Sequence, residues 1–142
     1  MKSFLQYLLE SESHPHYEGA SEPDESGTVT HTYTDRKLGV RTRLFTNPNM
    51  KGSAYWGFQT RSAKGNWTQN PPKPGDNVPK GRLRSALNHV AHFAQSQRVG
   101  TITYQTNTGS DNHALFQTKW PEYQPAVAKQ VKLIQVEKNP LR

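Results

Sequence analysis

The sequence predicts an α+β domain in which a mostly antiparallel, twisted sheet carries two helices on one of its faces. Alternating apolar and polar residues, the pattern of strands, dominate residues 29–60. The clearest helical spacing follows over residues 81–97, and a second helical pattern near residue 111 lies between two further strand-like segments. The predicted order of elements is therefore β-β-β-loop-α-β-α-β.

The first three strands are predicted from alternation and from the turn residues that separate them. Residues 29–34 and 39–46 alternate on either side of a polar turn, which predicts a hairpin. Residues 53–60 form a third strand that places Trp56 and Phe58 on one face. Trp56 is therefore predicted to lie in the core.

The helix over residues 81–97 has one apolar and one polar stripe. The predicted buried stripe contains Leu83, Leu87, Val90 and Ala94. The stripe predicted to lie opposite it contains Arg82, Ser85, His89 and His92. His89 and His92 could share a metal ion, but the sequence shows no third ligand at a recognisable spacing, and no metal is expected.

The remaining elements follow the same reasoning. Residues 100–107 are predicted as a strand, 111–119 as a second helix that Trp120-Pro121 ends, and 129–137 as the last strand. Residues 61–80 contain four prolines and two glycines and are predicted to be a long loop. Loops of that length are uncommon in compact domains and are often functional or disordered.

Charge divides the chain into two parts. Residues 1–28 contain one lysine and six acidic residues, a net charge of −5, whereas residues 29–142 contain 17 basic and five acidic residues, a net charge of +12. So basic a region attracts polyanions by long-range steering and counterion release. The alternative is that the charge only keeps a polar protein soluble. The absence of cysteine excludes disulfides and thiolate chemistry.

Residues 1–28 are predicted to be an acidic leader and linker, and residues 29–142 a single basic domain. Residues 2–9 have helical spacing, whereas 11–28 are rich in serine, glutamate and proline and are predicted to be a linker or disordered. The two histidines of this tract, His14 and His16, are attributed to chance. No apolar run is long enough to span a membrane and no secretory cleavage site follows the first residues, which favours an intracellular protein.

The first ten residues, MKSFLQYLLE, resemble the capsid-targeting leader of internal proteins in T-even-type tailed phages. Those leaders open with Met-Lys, a hydroxyl residue and an aromatic residue, and end at a glutamate cut by the prohead protease; Leu8-Leu9-Glu10 fits that site. The resemblance implies cleavage after Glu10 and a location in the host cytoplasm or the capsid interior, packaged with DNA. The alternative is an ordinary N-terminal helix packed on the domain.

The run from residue 81 to 120 resembles the core of GNAT-type N-acetyltransferases, in which a turn before a helix holds the pyrophosphate of acetyl-CoA. The resemblance implies a cofactor site at Lys80, Gly81, Arg82, Arg84, Ser85, Asn107 and Asn112. This chain departs from the family because Arg82 and Arg84 replace the glycines of the turn. Phe116 also stands about where many members carry a tyrosine that protonates the leaving thiolate.

The residues at the start of this helix predict an anion site independently of any family resemblance. Lys80, Arg82 and Arg84 gather at a helix N-terminus, where free N–H groups and the helix dipole also favour anions. The alternative is a solvated basic helix end. Tryptophans among the basic residues, above all Trp67 in the long loop, suit stacking on single-stranded nucleic acid.

Three functions are therefore considered. The first is a GNAT-like protein that binds acyl-CoA and has possible N-acetyltransferase activity, although no general base is identified. The second is a non-enzymatic, basic virion protein that binds nucleic acid. The third is a domain that binds a host protein, for which the sequence offers no motif. The sequence does not determine the substrate or the oligomeric state.

Overall fold

In a computed structural model, residues 14–69, 75, 78–106 and 112–137 are described, and they form seven strands and three helices. The strands are β1 (Tyr17–Ala20), β2 (Val29–Asp35), β3 (Val40–Thr46), β4 (Ser53–Arg61), β5 (Trp67–Thr68), β6 (Thr101–Thr106) and β7 (Lys132–Glu137). The helices are α1 (Arg82–Gln97), α2 (Asn112–Tyr123) and α3 (Pro125–Ala128). In this part of the chain, no helix has the length and apolarity needed to cross a membrane.

The strands form one mixed sheet in the order β1-β2-β3-β4-β6-β7. Strands β1 to β4 pair antiparallel in sequence, and the short β5 pairs antiparallel with the end of β4. Strands β4, β6 and β7 run parallel. The structure therefore confirms the α+β class with a mostly antiparallel sheet, while the GNAT-like arrangement stays a prediction. The prediction of two helices is wrong, because the short α3 (Pro125–Ala128) forms a third helix within a predicted bend.

Strands β4 and β6 pair over only part of their lengths. Their register runs from Ser53 opposite Thr101 to Trp56 opposite Tyr104, and β4 then continues to Arg61. Strand β3 pairs with the other edge of β4 from Tyr55 to Thr60, and β5 pairs with β4 only at Thr60 and Arg61. The sheet is therefore unpaired between β4 and β6 beyond Trp56 among the described residues.

Helix α1 follows the predicted boundaries closely and packs against β3. Gly81 precedes it with a φ of 98°, a left-handed conformation that glycine adopts without the penalty of a Cβ. Leu87, Val90 and Ala94 of the predicted apolar stripe are buried. Their burial against the sheet supplies most of the stability of such a helix, because isolated helices of this length are marginal in water.

The two faces of the sheet differ in what covers them. On the face towards α1, alternate strand residues are buried; they include Tyr33, Leu44, Trp56, Ile102 and Leu133. The residues between them point to the opposite face, where Tyr55 is 45% and Ile134 44% exposed. The burial of Trp56 confirms its predicted place in the core.

Helix α2 extends beyond its predicted end. Pro121 lies inside the helix, which continues to Tyr123, so the prediction that Trp120-Pro121 ends it is wrong. Trp120 is buried, and its Nε1 donates to the carbonyl oxygen of Val131 at 2.9 Å. The backbone N–H of Gln124 also donates to the Trp120 carbonyl oxygen at 2.9 Å. These contacts stabilise the last turn of the helix, although Pro121 has no backbone N–H to donate.

Part of the predicted linker is a strand. Tyr17 lies opposite Tyr33 and Ala20 opposite His31, so β1 occupies the edge of the sheet beside β2. The linker prediction is therefore wrong for Tyr17–Ala20, because the free edge of β2 supplies hydrogen bonds that composition does not reveal. The predicted helix over residues 2–9 and the cut after Glu10 lie outside the described residues and stay predictions.

Candidate functional site

The basic residues at the start of α1 each contact a different part of the protein. Nε of Arg82 donates to the Leu38 carbonyl oxygen at 2.6 Å, and its Nη2 donates to the Arg61 carbonyl oxygen at 3.1 Å. Partial burial, together with the nearby Arg61 charge, lowers the pKa of Arg82. Its guanidinium therefore ties the β2–β3 turn and the end of β4 to α1.

Arg84 and Ser85 point in different directions from the helix. Arg84 is exposed, and its guanidinium carbon lies 4.3 Å from the centroid of the Tyr123 ring. Ser85 is buried, and its hydroxyl donates to Oδ2 of Asp35 at 2.7 Å. Lys80 is exposed just before the helix. The structure does not bring the side chains of Arg82, Arg84 and Ser85 onto one point.

The two asparagines of the predicted cofactor site are only partly described. Asn107 lies outside the described residues, and Asn112 is the first residue of α2, with a side chain that is not described. The cofactor site therefore stays a prediction.

Five of the six histidines of the chain lie together between the start of β1, strand β2 and helix α1. They are His14, His16, His31, His89 and His92. The ring centroids of His14 and His92 are 4.7 Å apart, and those of His16 and His89 are 5.0 Å apart. We call these five residues the histidine cluster. Sequence reasoning treated its two halves separately, because 73 residues separate His16 from His89.

A hydrogen-bonded chain runs through the cluster from the core towards its surface. Oγ1 of Thr42 lies 2.8 Å from Nδ1 of His89, and Nε2 of His89 lies 2.8 Å from Nδ1 of His16. Nε2 of His16 lies 4.0 Å from Oδ2 of Asp35. Beside this chain, the Tyr33 hydroxyl lies 2.7 Å from Nδ1 of His92.

Burial keeps two of these imidazoles neutral at physiological pH. The pKa of His89 is lowered to about 3 by burial first, and then by the neighbouring His16 and His14. The pKa of His14 is lowered to about 4 by burial, with His92 and His16 adding to the effect. Neutral imidazoles accept hydrogen bonds and can approach one another without charge repulsion.

Asp35 provides the negative charge beside the cluster. Burial raises its pKa, but hydrogen bonds from the Leu38 backbone N–H and the Ser85 hydroxyl outweigh that effect, so the pKa is lowered overall. Ser85 and His89 were predicted on the stripe opposite the apolar one; they are buried, so that prediction is wrong. The reason is that the polar residues Asp35 and Thr42 of the sheet face them and satisfy their hydrogen bonds.

Metal binding finds no support in this cluster. Among residues 14–69, 75, 78–106 and 112–137, no group of three or more His, Asp or Glu side chains is arranged to hold a metal ion. Both ring nitrogens of His89 lie within hydrogen-bonding distance of protein partners. The cluster is a hydrogen-bonded contact between segments of the chain.

The sheet surface turned away from α1 gathers basic, hydroxyl and aromatic groups; we call it the open face. A shallow groove of about 440 Å³ crosses it, lined by Glu18, Gly19, Ala20, Ser21, Thr30, Thr32, Arg41 and Arg43. The guanidinium carbon of Arg41 lies 4.4 Å from the centroid of the Trp67 ring, and that of Arg61 lies 5.7 Å from it. Arg43 is exposed, and Tyr55 stands on the next strand.

Glu18 is the acidic group at this groove. Its carboxylate accepts a hydrogen bond from the Thr34 hydroxyl at 2.6 Å and one from Arg36 at 3.2 Å. These bonds partly neutralise it and direct it towards Arg36. The groove therefore presents the exposed Arg43 and a row of hydroxyl groups to solvent, whereas the half-buried Arg41 also donates from Nε to the Thr34 hydroxyl at 3.3 Å.

An aromatic cluster lies on the helix side, where β4 and β6 cease to pair. Trp56, Phe58, Tyr104 and Phe116 have neighbouring ring centroids 4.9 to 5.7 Å apart. Nε1 of Trp56 is buried and has no hydrogen-bond partner among the described residues. Phe116 is buried among these rings.

The open face and the histidine cluster are thus defined by geometry alone. Comparison of this chain with protein-family models, with curated proteins and with solved structures finds no match.

Proposed function

We propose that this protein is a basic, non-enzymatic module that binds single-stranded nucleic acid on its open face. The observation that carries the proposal is the position of Trp67, whose ring has the Arg41 guanidinium carbon over it at 4.4 Å and that of Arg61 5.7 Å from its centroid. In the proposal, a base stacks on the part of the ring that Arg41 does not cover, and the two guanidinium groups bind the neighbouring phosphates.

The groove beside Trp67 extends this surface. Arg41 and Arg43 line it together with the hydroxyl-bearing residues Thr30 and Thr32. Guanidinium groups bind phosphate oxygens with a planar set of donors, and threonine hydroxyls add neutral donors that fix the backbone. The excess of basic residues over the whole region after residue 28 adds long-range attraction to a polyanion.

The leader resemblance supports a setting for this activity. A protein packaged in a phage capsid lies beside densely packed DNA. A cut after Glu10 would remove the leader and keep every residue of the open face. In this proposal, the protein is located in the host cytoplasm during assembly and in the capsid interior afterwards.

Binding of a fluorescent oligo(dT) of about 15 nucleotides, followed by anisotropy, tests the proposal. Trp67→Ala should weaken binding by about fivefold to a hundredfold, because stacking of one base is worth roughly 1–3 kcal/mol. Arg41→Gln should weaken it and reduce the salt slope by about 1. Arg84→Gln is the matched control, since it removes the same charge from α1 rather than from the sheet.

Two results would reject the proposal. Equal losses in Arg41→Gln and Arg84→Gln would mean that only net charge matters and that the open face is no site. An affinity that stays constant between about 50 and about 200 mM salt would remove the electrostatic basis altogether.

A second candidate is acyl-CoA binding, as the GNAT resemblance implies. It is favoured by the gap between β4 and β6 beyond Trp56 and by the buried Trp56 Nε1, a donor without a partner among the described residues. A ligand carbonyl oxygen could accept that hydrogen. Acetyl-CoA at saturating concentration should raise the melting temperature, and Trp56→Phe should reduce the rise. No rise in the wild-type protein would exclude this candidate.

A further inference from the structure

We propose that the segment before β1 docks on the domain through a proton-sensitive latch. In the docked state, the rings of His14 and His16 pack against those of His89 and His92; a proton taken up among these rings separates the two pairs and releases residues 14–20 from the sheet. This inference concerns the attachment of β1 and goes beyond nucleic-acid binding.

The geometry of the cluster makes docking depend on charge. The His14 ring lies 4.7 Å from that of His92 and 5.6 Å from that of His89, and the His16 ring lies 5.0 Å from that of His89. When neutral, the rings pack edge to face or tilted and share a hydrogen bond of 2.8 Å between His16 and His89. When two facing rings are protonated, neither can accept that bond and like charges meet at short range.

The weaker side of the latch is β1. It has four residues and pairs with β2 alone among the described strands, with an irregular register between Tyr17 and Gly19. Helix α1 has 16 residues and is fixed by buried side chains such as Leu87 and Val90. Repulsion between the two sides should therefore displace β1 and leave α1 in place.

Other titratable groups also face the latch. Asp35 of β2 lies 4.0 Å from His16 Nε2 and attracts that imidazole when it is protonated, so it opposes release. From β2, His31 also contacts β1 through the Tyr17 hydroxyl at 3.2 Å, and its pKa is lowered by burial. Tyr33, with a pKa raised mainly by burial, stays neutral throughout.

Proton uptake by His14 is linked to the release of β1 from the sheet. The pKa of docked His14 is lowered to about 4, mainly by burial, whereas a histidine in a released, solvated segment titrates near its ordinary value of about 6.5. The released state therefore takes up the proton first as the pH falls. Acidification between these two values favours release.

Heteronuclear NMR across a pH series from about 7.5 to about 4.5 tests the latch. The amide signals of Tyr17, Gly19 and Ala20 should move to unstructured positions with a midpoint near pH 5, while those of α1 and β6 stay dispersed. If β1 keeps its signals until the whole fold melts, the latch does not exist.

Substitutions assign the effect to the histidines. His14→Phe with His16→Gln keeps a ring and a hydrogen-bonding amide but removes both charges, and should lower the midpoint by about one pH unit or more. If β1 is undocked in this double variant even at neutral pH, the single variant His14→Phe is measured instead. Its midpoint of β1 release should also fall, by a smaller amount. An unchanged midpoint in the deciding variant overturns the proposal.

Two controls separate the latch from other acid effects. Glu22→Gln removes an exposed carboxylate just after β1, and His113→Gln removes the one histidine that the cluster does not include. Both should leave the midpoint of β1 release unchanged. A shift with Glu22→Gln equal to that of the histidine variant would mean that release does not depend on the histidines and would overturn the proposal.

Discussion

Two regions of this molecule carry arginines two residues apart, and the structure uses them in opposite ways. At the start of α1, Arg82 donates to two backbone carbonyls whereas Arg84 lies on Tyr123. On β3, Arg41 and Arg43 line one groove together. The first pair is divided between internal contacts, and the second forms a single surface.

The difference follows from the periods of helix and strand. Successive residues of a helix are rotated by roughly 100°, so positions i and i+2 point to nearly opposite sides, whereas the same positions of a strand share a face. Because Arg82 and Arg84 are close in the sequence, the start of α1 was predicted to be a basic cluster. On the strand β3, by contrast, Arg41 and Arg43 share a face and line the same groove.

The largest effect that tests this comparison is on stability. Arg82→Met should lower the free energy of unfolding by about 2–3 kcal/mol, because the carbonyls of Leu38 and Arg61 lose a charged donor in a partly buried place. Arg84→Met, the matched control, should cost under about 1 kcal/mol, as expected for an exposed cation–π contact. Urea denaturation of the two variants measures both values.

Equal losses in the two variants would contradict the division between them. A loss in Arg84→Met alone would show that the Tyr123 contact, and not the bonds to the carbonyls, holds the start of the helix. Either result would return Arg82 to the set of available anion ligands.

The next effect arises from the buried side of the sheet. The pKa of His89 is lowered to about 3, so the unfolded chain binds protons at pH values where the folded one does not. Stability should therefore fall as the pH drops below about 6.5, by on the order of 2 kcal/mol at about pH 5 for His89 alone. Denaturation at several pH values measures it.

The variant His89→Gln provides the control for that measurement. It removes the titrating group while an amide can still bond to Thr42 or His16, so the loss of stability towards low pH should be smaller. A pH profile identical to that of the wild-type protein would mean that other groups cause the dependence.

The fold was largely predictable because its elements have strong periodic patterns. Helix α1 and strands β2, β3 and β4 lie within one or two residues of their predicted bounds. The predictions failed where tertiary contacts outweigh local signals. Helix α2 passes through Pro121 because Trp120 is buried and bonded.

The arrangement of the functional residues was far less predictable. Nothing local relates His16 to His89, and their contact depends on β1 joining the edge of the sheet. His31, His89 and His92 fall in elements that were predicted to pair or pack, whereas His14 and His16 fall in the predicted linker and were attributed to chance. Trp67 was predicted in a long loop without obvious burial, but it lies in β5 and is half-buried, and its arginine neighbours come from strand register.

The smallest effect on stability is expected on the open face, where it separates function from folding most sharply. Arg43 is exposed on β3 and lines the groove, so Arg43→Gln should change the free energy of unfolding by no more than about 0.5 kcal/mol. The same change should weaken oligo(dT) binding and reduce the salt slope by about 1, since one phosphate contact is lost. Paired urea denaturation and anisotropy titrations measure the two quantities. A stability loss equal to that of Arg82→Met, or an unchanged salt slope, would show that the open face is structural rather than a binding surface.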